Sequence, residues 1–157
     1  MTLAYAVEQF SEALWAEVAP LSAAHFAEVA DLPVGHGLSL DQQGYANAER
    51  HGAHTLITAR EAGRLVGYLS LFLRRHVHAQ VLSAYQDAIY LLPSHRLGWN
   101  AQGMIAFADA HIRELGVGIV YHFAPIAHDY GPVMRQLGYN PTEIVWSRHL
   151  HQPKKAS

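Results

Sequence analysis

The residues best suited to chemistry lie between Ala84 and Leu115. An apolar run, Ala88-Ile89-Tyr90-Leu91-Leu92, ends at Pro93. A polar stretch follows, Ser94-His95-Arg96-Leu97-Gly98-Trp99, and an amphipathic run opens at Asn100. This order predicts a strand, a loop and the start of a helix. The first N–H groups of a helix have no partner within it, and the helix dipole favours negative charge there. Arg96 adds a permanent positive charge with a planar fork of donors. Together these residues suit a phosphate-bearing ligand.

Histidine is the compositional oddity, with 12 in 157 residues. Its charge changes readily between pH 5 and 7. His76 and His78 are two apart on one predicted strand face, a spacing that can hold a metal. No third ligand is evident, so no metal is expected. The chain has no cysteine, which excludes disulfides, thiolate chemistry and Cys-based zinc sites. Net charge is −2 with histidine neutral, which argues against a broad nucleic-acid surface. No apolar run nears the ~20 residues that span a bilayer, and no signal peptide is evident at the N-terminus. A soluble, cytoplasmic protein with no membrane partner is the expectation.

The elements that must position these residues follow from periodicity. Residues 3–8 alternate as an edge strand. Ser11 is placed to cap a helix carrying Leu14, Val18 and Leu21, which Pro20 should interrupt or restart. A second helical stretch then carries His25, Phe26 and Val29. Residues 31–37 read as a loop, and Asp41 as the cap of a short helix ending at Gly52. Residues 55–59 and 65–73 read as two strands of a hairpin turned by Glu61-Ala62-Gly63-Arg64. In the second, Val66, Tyr68, Ser70 and Phe72 should share one face and Gly67, Leu69, Leu71 and Leu73 the other. Both faces are largely apolar, as in a central strand covered on both sides. The helix from Asn100 places Met104, Ile105, Ala108 and Ile112 on one face and stops at Gly116. Residues 117–123 predict a strand, 129–137 a short helix and 143–150 a last strand. One domain over residues 1–151 is expected, with a short polar tail over 152–157.

This order resembles the GNAT superfamily of N-acetyltransferases. Gly63-Arg64-Leu65-Val66-Gly67-Tyr68 is similar to that family's hairpin into its long third strand. Tyr90-Leu91-Leu92-Pro93-Ser94-His95-Arg96 is similar to the strand end and loop before its acyl-CoA pyrophosphate site. Gln136-Leu137-Gly138-Tyr139 is similar to its Lys-x-Gly-Phe signature. The likeness covers residues 3–150 and extends to GNAT-like proteins of phages and prophages. It implies a mixed α/β fold: a central, mostly antiparallel twisted sheet of about 6–7 strands, splayed at a cofactor cleft, with helices on both faces.

The resemblance also implies acetyl-CoA as the acyl donor, held by Tyr90, Leu91, Arg96, Leu97, Gly98, Trp99, Asn100 and Ala101. The family's loop reads Arg/Gln-x-x-Gly-x-Gly/Ala. Arg96 and Ala101 fit it, Trp99 stands at the first glycine, and Gly98 comes one position early. A V-shaped gap between the strands at 88–92 and 117–123 would receive the thioester. The N–H near Leu91 would polarise its carbonyl. Asp87, His122 and Tyr130 are the implied catalytic residues. Asp87 and His122 are candidate bases, with His76, His78 and His128 considered beside them; Asp129 reads as a helix cap. The family's usual acid, a tyrosine, falls on Met134, and Tyr130 lies one turn earlier on the same helix face. The acceptor is a small-molecule or protein amine, with a pocket from residues 11–52 that His25, Phe26, His36 and Tyr45 can line. A homodimer is compatible with proteins of this kind.

Trp99 and Met134 keep a second reading open: a catalytically degenerate GNAT-like fold used for binding or structure, in a phage or prophage setting. A third is modification of nucleic acid or a protein side chain with an unusual acyl group. The near-neutral charge weighs against nucleic acid.

Overall fold

The structure is a computed structural model and describes residues 3–29 and 37–150. Residues 31–36 of the predicted loop, His36 among them, and the tail at 152–157 lie outside these residues. Five strands form one sheet in the order β1-β2-β3-β4-β5. β1 (Ala4–Val7), β2 (His54–Glu61), β3 (Arg64–Arg75) and β4 (Leu82–Leu91) are antiparallel neighbours. β5 (Ile119–Tyr121) runs parallel to β4. Helices α1 (Glu12–Val29) and α2 (Gln42–Arg50) lie between β1 and β2 in the chain; α3 (Asn100–Glu114) links β4 to β5, and α4 (Gly131–Gln136) follows.

Local chemistry sets the boundaries. The Leu14 N–H donates to Ser11 Oγ at 3.1 Å, and the Gly44 N–H donates to Asp41 Oδ1 at 2.9 Å, so both predicted caps form. The hairpin turns at Ala62 (φ 48°) and Gly63 (φ 84°), the two left-handed residues that a tight twisted turn requires. α1 corrects one expectation, since it runs unbroken through Pro20. A proline removes one helical hydrogen bond; the buried face of Leu14, Val18 and Ser22 holds the helix against the sheet on both sides of it.

Two cores sandwich the sheet. Leu14 and Val18 of α1 pack with Leu56, Leu65, Tyr68 and Tyr90. Met104, Ala108 and Ile112 of α3 pack with Ile57, Leu69 and Leu71 on the other side. Val66 belongs to this second core, not to the face of Tyr68. The reason is a bulge: Ala59 pairs with Gly67 but Arg60 with Leu65, so Val66 is an extra residue and the alternation flips.

The sheet has five strands rather than six or seven. Residues 143–150 are not a strand, and Ile144, Val145, Trp146 and Leu150 stand exposed. Alternating apolar residues make a strand only where a neighbouring backbone supplies the ladder. β5 is three residues long and offers little of one.

Two irregularities shape the region around β4. β5 pairs with β4 only from Ser83 to Tyr85, while β4 continues to Leu91. The sheet therefore splays open beyond Tyr85. In the same stretch Ser70 pairs with Ala88 but Leu71 with Gln86, so Asp87 has no partner across the ladder. A bulge of this kind re-aims a side chain.

Candidate active site

The splay opens a cavity of about 350 Å³. Asp87, Tyr90 and Leu91 of β4 line one side, Ala101 and Met104 of α3 the next, and Phe123 and Tyr130 face them. His25 and Glu28 of α1 and His128 complete the rim. Carboxylate, phenol and helix N-terminus thus meet at one opening.

Asp87 is exposed, as its bulged position allows. Its Oδ2 accepts from Tyr45 Oη at 2.7 Å and from Ser70 Oγ at 2.9 Å. Ser70 Oγ in turn lies 2.8 Å from His54 Nε2. Burial holds the His54 imidazole down to about 4, so it is neutral near pH 7. Its ring packs among Phe10, Tyr45 and Phe72, with centroids 5.5, 5.3 and 4.9 Å away.

Tyr130 immediately precedes α4 and points its hydroxyl at Gln86 Oε1 (2.7 Å) and the Phe123 carbonyl (3.0 Å). Burial pushes this phenol up to about 12, so it remains a proton donor. Met134, at the position of the expected acid, is 8% exposed and lines a different cavity, under β5 and α4.

His122 does not face the splay. It follows β5, lines that second cavity and packs edge-on to Tyr139 at 5.2 Å. Its Nδ1 lies 2.8 Å from Gln86 Oε1, and burial lowers it to about 4. His122 and Tyr130 therefore converge on one amide oxygen, Tyr130 from the splay and His122 from the second cavity.

The α3 N-terminus forms as the loop predicts. Gly98 turns with φ 69°, and the first helical bond runs from the Gly103 N–H to the Trp99 carbonyl at 2.8 Å. The N–H groups of the residues before Gly103 thus have no partner within the helix. Trp99, the residue that caps α3, is 75% exposed. Leu97, Gly98, Trp99 and Asn100 line a separate surface cavity beside Tyr5 and His95, whereas Tyr90, Leu91, Arg96 and Ala101 line the splay.

Arg96 departs most from the sequence expectation. Its guanidinium is held by β4 and α1. Nε donates to the Leu91 carbonyl at 2.8 Å, and Nη2 donates to both carboxylate oxygens of Glu28, at 2.9 and 2.8 Å. The guanidinium carbon also lies 5.2 Å from the Tyr90 ring centroid. A carboxylate within reach and an aromatic face outcompete water for a weakly hydrated fork.

The other histidines divide. His25 stacks on Tyr90 at 5.3 Å, and burial keeps it below its usual range. His128 Nε2 donates to the Glu28 carbonyl at 3.0 Å. His76 accepts from the Ala79 N–H at 3.3 Å, with the His78 ring 5.8 Å away, as turn residues after β3. Asp129 Oδ1 accepts from the Gly131 N–H at 2.7 Å at the start of α4. Phe26 is not among the residues lining the splay.

Sequence reasoning missed Glu28, Ser70, His54 and Gln86. The bulge at Asp87 and the 68-residue separation of Arg96 from Glu28 leave no local signal.

No family model matches the sequence, and no curated protein matches it. Solved structures do match in shape. An aminoglycoside acetyltransferase from an uncultured soil metagenomic sample, in complex with sisomicin, superposes at TM-score 0.72 with 13% identity, covering 97% of each chain. Ribosomal-protein-alanine N-acetyltransferase from Brucella melitensis biovar Abortus 2308 gives 0.71 with 19% identity over 99% of this chain and 100% of that one. The chain has the fold of the GNAT acetyltransferases. A predicted acetyltransferase from Clostridium acetobutylicum, solved with acetyl-CoA, gives 0.68 at 14% identity over 95% and 97% of the two chains. Among the described residues no helix is long and apolar enough to cross a membrane.

Proposed function

We infer that this protein is an N-acetyltransferase that moves the acetyl group of acetyl-CoA to an amine. The observation that carries this reading is the splay of β4 from β5, with Asp87, Tyr130 and the α3 side around one cavity. The fold shared with acetyltransferases supports it. The residues fit the donor: unpaired helix N–H groups suit a pyrophosphate, and an apolar wall at Leu91, Ala101 and Met104 suits a thin flexible arm.

Acetyl-CoA supplies an activated acyl carbon. In the proposed reaction Asp87 takes a proton from the acceptor ammonium, and the freed amine attacks that carbon. The C–N bond forms and the C–S bond breaks, and the second proton shed by the new amide nitrogen neutralises the departing thiolate. A β4 N–H near Leu91 steadies the oxygen charge that develops. Tyr130 donates a hydrogen bond to the departing sulfur. A phenol near 12 is a weaker acid than a thiol of ~8.5, so Tyr130 stabilises the thiolate more than it protonates it outright. His122 faces Gln86 and supports Tyr130 from behind.

The test is calorimetric titration with coenzyme A and acetyl-CoA, followed by an amine screen with thiol release as readout. Micromolar binding that Arg96→Ala weakens, with release by at least one amine, is expected. A second reading, a non-catalytic binding fold, draws on the capture of Arg96 by Glu28. Binding without thiol release from any amine would favour it; no binding at all would remove the donor assignment.

A further inference from the structure

Three side chains around Asp87 form a chain of hydrogen bonds that the reaction outlined above does not require. Tyr45 on α2 and Ser70 on β3 both reach Oδ2, at 2.7 and 2.9 Å. Among the described residues no hydrogen bond to Oδ1 is made. We propose that Tyr45 and Ser70 are positioning residues that commit Asp87 to a single reactive oxygen, Oδ1, and that His54 fixes the direction of the Ser70 hydroxyl. This rests on Asp87 being the base.

The need arises from the bulge. Asp87 has no cross-strand partner and its side chain is exposed. A carboxylate there would rotate freely and offer either oxygen. Two donors on Oδ2 remove that freedom and leave the lone pairs of Oδ1 for the amine proton.

Direction is the remaining ambiguity. A serine hydroxyl has one proton and can give it either way. His54 is 4% exposed and neutral, so it carries one N–H. Its Nδ1 is buried with no partner. With the proton on Nε2, His54 donates to Ser70 and Ser70 donates to Asp87. With the proton on Nδ1, Ser70 must either give its proton to His54 and abandon Asp87, or leave two lone pairs facing each other. The first arrangement makes both bonds and is the one retained. Facing His54 are Asp87, Tyr45 and Ser70, together with the rings of Phe10 and Phe72.

The experiment compares native protein with Ser70→Ala, Ser70→Thr, Tyr45→Phe and Asp87→Asn. Acetyl-CoA and the best amine of the screen are the substrates. Ser70→Ala and Tyr45→Phe should each lower kcat about tenfold, the scale of one lost hydrogen bond to a charged group. KM for acetyl-CoA and calorimetric binding of coenzyme A should stay native, and Ser70→Thr should recover most of the rate. His54→Gln, which keeps an N–H for Ser70, should be milder than His54→Phe. Native kcat in Ser70→Ala and Tyr45→Phe, alongside a crippled Asp87→Asn, overturns this assignment alone. An Asp87→Asn variant of native rate, or a native protein that acetylates no amine, overturns the base assignment and this inference with it.

Discussion

Two tyrosines have different tasks in the proposed reaction. Tyr130 presents a phenol to the cavity, and Tyr45 steadies Asp87. Tyr130→Phe keeps the ring and removes only the hydroxyl, so kcat should fall about tenfold to a hundredfold with coenzyme A affinity unchanged. Glu28 is a competitor for Arg96. An exposed ion pair contributes roughly 0.2–1 kcal/mol, so Glu28→Gln should tighten coenzyme A binding about twofold to fivefold by calorimetry. His54 and His122 give a pH signature. Each sits near 4 in the fold and near the usual ~6.5 when unfolded. Between those values the unfolded chain binds more protons. Their full contribution to stability is therefore present above about pH 6.5 and is lost as pH falls towards 4. Urea midpoints should drop over that window, and His54→Gln should flatten the drop.

At the scale of elements, β3 and β4 do most to shape the site. Gly67 lets them approach: a methyl there would collide with Leu91 Cδ2 and stand 2.6 Å from the Tyr90 carbonyl oxygen. Backbone cannot yield as a side-chain tip can. Gly67→Ala should cost about 1–3 kcal/mol and visibly lower Tm, with cofactor affinity falling because Leu91 lines the cavity. Much of this scaffold was legible in sequence. Caps at Ser11 and Asp41, the Ala62-Gly63 turn and the helix at Asn100 are local chemistry, written within a few residues. The bulges at Val66 and Asp87 were not legible, because register is a property of two strands. The same limit hid Ser70 and His54 as partners of Asp87, and made 143–150 look like a strand that lacks a neighbour. Tyr130 came into view only through the resemblance, as the tyrosine one turn before Met134. The direction of the Arg96 fork was not legible, since Glu28 lies on a helix at the other end of the chain.

At the scale of the molecule, the sheet is closed on both faces and open at one edge. α1 and α3 cover its two cores, and the splay lies where β5 gives out. Arg96 and Glu28 tie the β4–α3 loop to α1 across that opening. On the proposed function, a phosphate must take Arg96 from Glu28, so loading exchanges one ion pair for another. Dissolved ions screen the pair that breaks and the pair that forms alike. Loading should therefore tolerate changes in ionic strength that would strip a phosphate from an unengaged arginine. From about 0.05 to about 0.3 M salt, over which the Debye length shortens about 2.5-fold, native affinity for coenzyme A should change little. In Glu28→Gln it should decline steeply, and the tighter variant at low salt should lose its advantage at high salt.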